Sequence, residues 1–155
     1  MTFYRKITEC QLLEVDYESA VTWEVETNKL QCNADFHHHA QYDTVIFRDT
    51  ESAFTFARLV CTFVCQTDGH RLPMALVQPL DVGIGGHSRT VDIDFDLCRL
   101  KMRLRKDCRF IPLRAVERGA LLTQDPWNKD EYIVVDIVDA DMFLRLCNMY
   151  PNSYQ

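Results

Sequence analysis

Val91-Asp92-Ile93-Asp94-Phe95-Asp96-Leu97-Cys98-Arg99-Leu100-Lys101-Met102-Arg103-Leu104-Arg105 is the stretch on which the reading of the fold turns. Val91, Ile93, Phe95 and Leu97 alternate with three aspartates, and Cys98, Leu100, Met102 and Leu104 then alternate with Arg99, Lys101, Arg103 and Arg105. A period of two belongs to extended backbone with one face toward a core and one toward water. The phase slips by one residue between Leu97 and Cys98, with no turn residue there. Such a slip predicts a β-bulge that keeps the apolar set pointing inward. The expectation is one long kinked strand over 91–105, with a wet face that runs from acidic to basic.

Short β-type runs extend outward from this segment. Runs at 12–15 and 21–25 flank a polar break at 16–19, and further strands are predicted at 44–48, 56–65 and 72–80. In the 56–65 run, Leu59, Cys61, Phe63 and Cys65 are expected to share a face. Asp68-Gly69 is a turn signal, and Pro73 and Pro79 sit at the ends of their run, where a missing donor is tolerated. Three glycines at 83, 85 and 86 predict a loop; without a following Lys-Ser/Thr they do not make a phosphate-binding loop. Phe110-Ile111-Pro112-Leu113 precedes one predicted helical turn at 114–119, closed by Gly119. Residues 125–130 read as a loop and 132–138 as a strongly apolar strand. Asp139 is placed to cap a short helix over 141–149, with Met142, Leu146 and Met149 facing in and Pro151 stopping it.

About eight short strands with few helices predict a mainly β, single domain over 1–155, a small bent β-barrel with one or two short helices. The chain has 155 residues, 47% of them hydrophobic, enough for one core. Its net charge of −6 is uneven: residues 99–118 hold eight basic and two acidic side chains, a local +6, which leaves −12 for the rest. An acidic body with one basic band argues against general nucleic-acid binding and leaves room for a local contact with phosphate or an acidic partner. The N-terminus lacks the apolar core of a secretory leader, and no apolar run approaches the ~20 residues that span a bilayer. With seven irregularly spaced cysteines, this predicts reduced thiols in an intracellular compartment, the nucleus included, and no membrane partner.

Several segments together resemble a known family. They include Leu12-Leu13-Glu14-Val15-Asp16-Tyr17-Glu18-Ser19, Gln41-Tyr42-Asp43-Thr44-Val45-Ile46, Leu76-Val77-Gln78-Pro79-Leu80-Asp81 and Phe110-Ile111-Pro112-Leu113-Arg114. The run Val134-Val135-Asp136-Ile137-Val138-Asp139-Ala140-Asp141-Met142-Phe143-Leu144-Arg145-Leu146 belongs to the same set. These resemble the C-terminal β-rich region of transposon-derived (Plavaka or KDZ-like) proteins of mushroom-forming fungi. The resemblance covers most of 10–147 and implies ancestry without assigning an activity. Family members carry this region behind a longer upstream part, so an isolated module or a remnant is expected. The order of pieces also resembles the bromo-adjacent homology (BAH) module, a β-rich chromatin reader, at the level of architecture.

Candidate functional residues follow from charge and aromatic content. Arg99, Lys101, Arg103 and Arg105 stand at β-spacing and could follow a phosphate backbone or meet an acidic protein surface; the bland alternative is a solvated face that deters edge pairing. Tyr42, Phe47, Trp127 and Tyr132 are candidates for an aromatic cage around a methylated lysine, with Trp127 foremost because it falls in a loop. Tyr42, Trp127 and the four basic residues are the expected partner-binding set, for a protein or a histone peptide. Asp92, Asp94, Asp96, Asp136, Asp139 and Asp141 suggest an alternative metal-dependent nuclease or transposase fragment, but strand carboxylates two residues apart lie ~6–7 Å from each other. His37-His38-His39 beside Cys32, and Cys61 and Cys65 followed by His70, are loosely zinc-like; free cysteines more often sit in a core. No local motif activates a cysteine nucleophile. No catalytic residue, metal site or cofactor is assigned, and the expectation is an interaction module rather than an enzyme.

Overall fold

A computed structural model describes residues 5–51, 53–82 and 97–150. Its frame is a long hairpin of β6 (Phe54–Thr67) and β7 (His70–Val82). Asp68 and Gly69 turn it with φ of 47° and 80°, the double left-handed geometry of a two-residue hairpin whose twist matches the strands. Around it a large sheet is ordered β10 (Val116–Ala120), β5 (Thr44–Arg48), β6, β7, β8 (Arg99–Met102), β12 (Glu131–Val134) and β11 (Leu122–Gln124). β1 (Arg5–Cys10) pairs with the far half of β6, and β9 (Arg109–Pro112) with the near half of β7. A separate three-stranded sheet joins β2 (Leu12–Glu18), β3 (Val25–Phe36) and β4 (His39–Tyr42). One helix, α1 (Ala140–Met149), completes the elements used below.

At β5 both faces of the large sheet are covered, which explains its unbroken apolar run. Val45 and Phe47 point to one cluster with Ala57, Leu59, Val77 and Ile111, sealed by Val15, Leu30 and Cys32 of the small sheet. Ile46 points the other way, to a second cluster with Phe56, Leu80 and Leu100, sealed by Met142 and Leu146 of α1. A strand buried on both faces loses the alternation that a half-exposed strand keeps. Each fully buried Phe or Leu contributes roughly 1.5–3 kcal/mol over the exposed state, so the two clusters carry most of the fold's favourable energy.

The molecule is mainly β with one helix, as the alternation predicts, and 44–48 and the Asp68-Gly69 turn lie where expected. Several local expectations are corrected. The decisive segment can be followed only from Leu97, since 91–96 lie outside the described residues, as does the glycine loop; Leu97 and Cys98, where the bulge is expected, precede β8 and belong to no strand. Cys98 and Leu100 are buried as predicted, but the strand stops at Met102. The cause is register. Leu80 faces Met102 and Val77 faces Arg109, so two residues of β7 stand opposite six of its partner. The surplus leaves the ladder as a 3-10 turn, Arg105–Asp107, and Leu104 becomes 64% exposed.

The polar break at 16–19 begins later than expected, because Tyr17 is buried in phase with Val15 and holds β2 to Glu18. Leu59 does not share the face of Phe63 and Cys65, because the register shifts between Leu59 and Cys61. The helical turn after Pro112 spans only Leu113–Ala115, and Gly119 lies within β10. The last strand ends at Val134; Ile137 and Val138 form an exposed turn before α1. Pairing does not close a barrel: among the described residues no ladder joins β10 to β11. These two ends of the ordering are nevertheless consecutive in the chain, with Leu121 alone between them.

Candidate functional site

The basic residues of β8 meet acidic partners within the chain. Arg99 Nη1 donates to Asp125 Oδ2 at 2.5 Å and to Glu131 Oε2 at 3.2 Å, with its side chain only 18% exposed. Lys101 Nζ lies 3.6 Å from Asp130, and Arg103 Nε lies 3.2 Å from Asp81. The latter two pairs are exposed and energetically weak, yet they neutralise the stripe that alternation presents to solvent. Arg105 is exposed in the 3-10 turn, off the strand.

Arg99 and Asp125 instead build a support under the loop between β11 and β12. Asp125 is buried, and its Oδ1 accepts the backbone N–H of Trp127 at 2.8 Å and of Asn128 at 2.9 Å. A carboxylate that folds back onto the next backbone donors is the local chemistry expected of Asp at a turn. The hydrogen bond from Arg99, with the two backbone N–H groups, lowers the Asp125 carboxyl to about 2. Asp125 N donates to Glu131 O, Glu131 N to Asn128 O, and Gln124 Nε2 to Lys129 O. The backbone is thus tied at both ends while Trp127 stands 85% exposed at its tip. The arrangement presents a large, amphipathic ring on a fixed loop, suited to apolar or cation–π contact.

The other aromatic candidates do not join Trp127. Phe47 is fully buried in the first cluster, under Arg109. Tyr132 packs against the second cluster, and its hydroxyl accepts from Arg58 Nη2 at 2.8 Å. Tyr42 is 38% exposed at the end of β4, opposite Cys32 in the small sheet. The four therefore do not converge on one cage. His37 and His38 are the two turn residues between β3 and β4, with φ of 49° and 69°. Cys32 is buried, and burial pushes its thiol up to about 11. Among the described residues no three His, Cys, Asp or Glu side chains gather where they could hold a metal ion.

Sequence reasoning missed a buried charge network. Arg118, counted with the basic band, is 5% exposed and lies under α1. It donates to both oxygens of Asp139, at 3.1 and 2.6 Å, and to Asp141. Asp141 also accepts from Ala20 N at 2.6 Å and Arg145 Nε at 2.7 Å, and Arg145 reaches Glu117 and the Glu18 carbonyl. The Tyr17 ring lies under both guanidinium groups, 4.6 and 5.7 Å from their centres. Burial opposes the charge on Arg118, but its bonds to Asp139 and Asp141 outweigh this and raise its pKa; burial likewise opposes Asp141, whose arginine and backbone donors lower it. Asp139 and Asp141 thus hold arginines and the start of α1. The adjacent i, i+4 pair Asp141 and Arg145 was the one legible sign of this network. A groove of about 520 Å³ beside α1 is lined by Phe54, Arg145, Asn148 and Tyr150 among others, and by none of the expected partner-binding residues.

No protein-family model, curated protein or solved structure matches the chain. Among the described residues no helix is long and apolar enough to cross a membrane.

Proposed function

We propose that this chain is a non-catalytic interaction module that grips a protein partner, a histone tail being the first candidate, through Trp127. The observation that carries the reading is the combination of an 85% exposed indole with a loop tied down by Asp125 and Arg99. Energy-rich protein contacts centre on such pre-ordered aromatic side chains, because little entropy is lost when they are buried. Of the two surfaces suggested by the sequence, the loop is favoured over the strand face, since Arg99, Lys101 and Arg103 already face carboxylates.

A BAH-like barrel is part of the same proposal. What supports it is the continuity of β10 and β11, which brings the two ends of the large sheet onto one stretch of chain joined through Leu121. Transposon ancestry and a nuclear, chromatin-bound role rest on the sequence resemblance alone and belong to the proposal.

The test is an array of unmodified and lysine-methylated histone peptides probed with wild type and Trp127→Ala. The reading expects spots that wild type holds and Trp127→Ala loses by about tenfold or more. Equal binding by both proteins would remove Trp127 from the contact.

A further inference from the structure

The ion pairs of the basic band leave a remainder with a definite location. Of its eight cations, Arg99, Lys101, Arg103, Arg109 and Arg118 pair with carboxylates. Arg105, Lys106 and Arg114 are exposed and meet no carboxylate among the described residues. All three bracket β9: two in the 3-10 turn before it, one in the 3-10 turn Leu113–Ala115 after it. Between them Phe110 is 64% exposed, its ring held edge-on to Phe63 at 5.8 Å. The register places Phe110 beside Leu76, one strand from Phe63, so the rings share one side of the sheet. Among the described residues β9 pairs only with β7, and its other edge takes no strand.

From this juxtaposition we infer a second docking surface, separate from the Trp127 loop: β9 receives an extended acidic segment of a partner protein, with one large apolar side chain laid against Phe110. Four strand residues span about 13 Å, so cations at both ends match carboxylates spaced along a short extended peptide with its apolar residue between them. Strand addition to an open edge, with alternate side chains read by the adjoining face, is an established mode of peptide recognition. An acidic protein segment is favoured over nucleic acid because an apolar ring stands at the centre of the site and the open edge of β9 offers backbone pairing that only an extended peptide can take.

Fluorescence anisotropy of a labelled synthetic peptide alternating Asp with Leu and Phe tests the inference, with a Lys-for-Asp peptide and a DNA duplex as comparison probes. The acidic peptide is expected to bind and to weaken as salt rises. Phe110→Ala, and separately the double variant Arg105→Glu with Lys106→Glu, should each weaken it by about tenfold. Trp127→Ala should leave it unchanged, so failure here and failure of the proposed function read out separately. The double variant alters only exposed side chains and serves even if Phe110→Ala fails to fold. Tighter binding of the duplex or the Lys peptide, no binding of the acidic peptide, or equal binding by wild type and the double variant would each overturn the inference.

Discussion

Gly119 sets the distance between β10 and the small sheet. A Cβ there would stand 2.6 Å from Leu30 Cδ2 and 3.3 Å from the Asn28 Oδ1 that accepts the Gly119 N–H. Leu30 is buried in the first cluster and has little room to turn. Gly119→Ala is therefore expected to lower the urea midpoint by the equivalent of about 1–3 kcal/mol, the usual cost of overpacking. Gly69 makes a useful contrast. Its φ is 80° and no atom lies within 4 Å of an added Cβ, so Gly69→Ala should cost only the backbone strain, about 1 kcal/mol. The two glycines look alike in the sequence, where one marks a turn and the other reads as a helix cap. Asp68-Gly69 is legible because a two-residue turn is local chemistry. Gly119 is not, because its reason is a leucine 89 positions away. The Trp127 loop divides in the same way: Asp125-Pro126-Trp127-Asn128 announces a turn, but the guanidinium that holds Asp125 comes from another strand.

Elements were legible where one face is buried and one is wet. β2 beyond its start, β8 and α1 all keep their period; β5, buried on both faces, is legible by its β-branched run. What the period cannot show is the partner's register, and so it carries β8 through Arg105 and joins Leu59 to the wrong face of β6. α1 lends itself to a test at this scale. Leu146 is fully buried against the second cluster, so Leu146→Ala should cost about 2–5 kcal/mol in equilibrium unfolding. Asp139 performs two tasks at the other end of the helix: its Oδ1 accepts Met142 N at 2.9 Å, and both oxygens meet Arg118. Loss of a cap alone costs about 1 kcal/mol. Asp139→Ala should exceed that figure, since a buried guanidinium loses one of its two carboxylates. A loss no larger than the cap would mean that Asp141 alone suffices to hold Arg118.

At the scale of the whole molecule, acidic and basic regions that look separate in the sequence are folded onto each other. Asp81, Asp125, Asp130, Glu131, Asp139 and Asp141 all come to the band between 99 and 118. The consequence is a stability that depends on pH in both directions. Asp125 is lowered to about 2 by Arg99 and backbone donors, and Asp141 is lowered too, against a value near 3.9 in an unfolded chain. Groups with depressed native pKa contribute fully above the unfolded value and lose that contribution as pH falls through it toward the native one. The urea midpoint should therefore decline between about pH 5 and pH 2. Asp125→Asn keeps an acceptor for Trp127 and Asn128 but removes the charge facing Arg99. It should be less stable than wild type at pH 7 and decline less steeply in acid; parallel curves would show that Asp125 does not titrate with unfolding. At the alkaline end Tyr17 has the opposite sign. Burial first, then its hydrogen bond to Glu26 at 2.7 Å, raises its phenol to about 12 from an ordinary value near 10. The folded state then holds this proton more tightly than the unfolded state, and the contribution is lost as pH rises from about 10 to 12. Tyr17→Phe keeps the ring beneath Arg118 and Arg145 and removes the proton. It should make the alkaline limb shallower, the raised Cys32 thiol keeping a share of that loss, while leaving the acid limb intact, because the acid limb belongs to the carboxylates that hold the arginines.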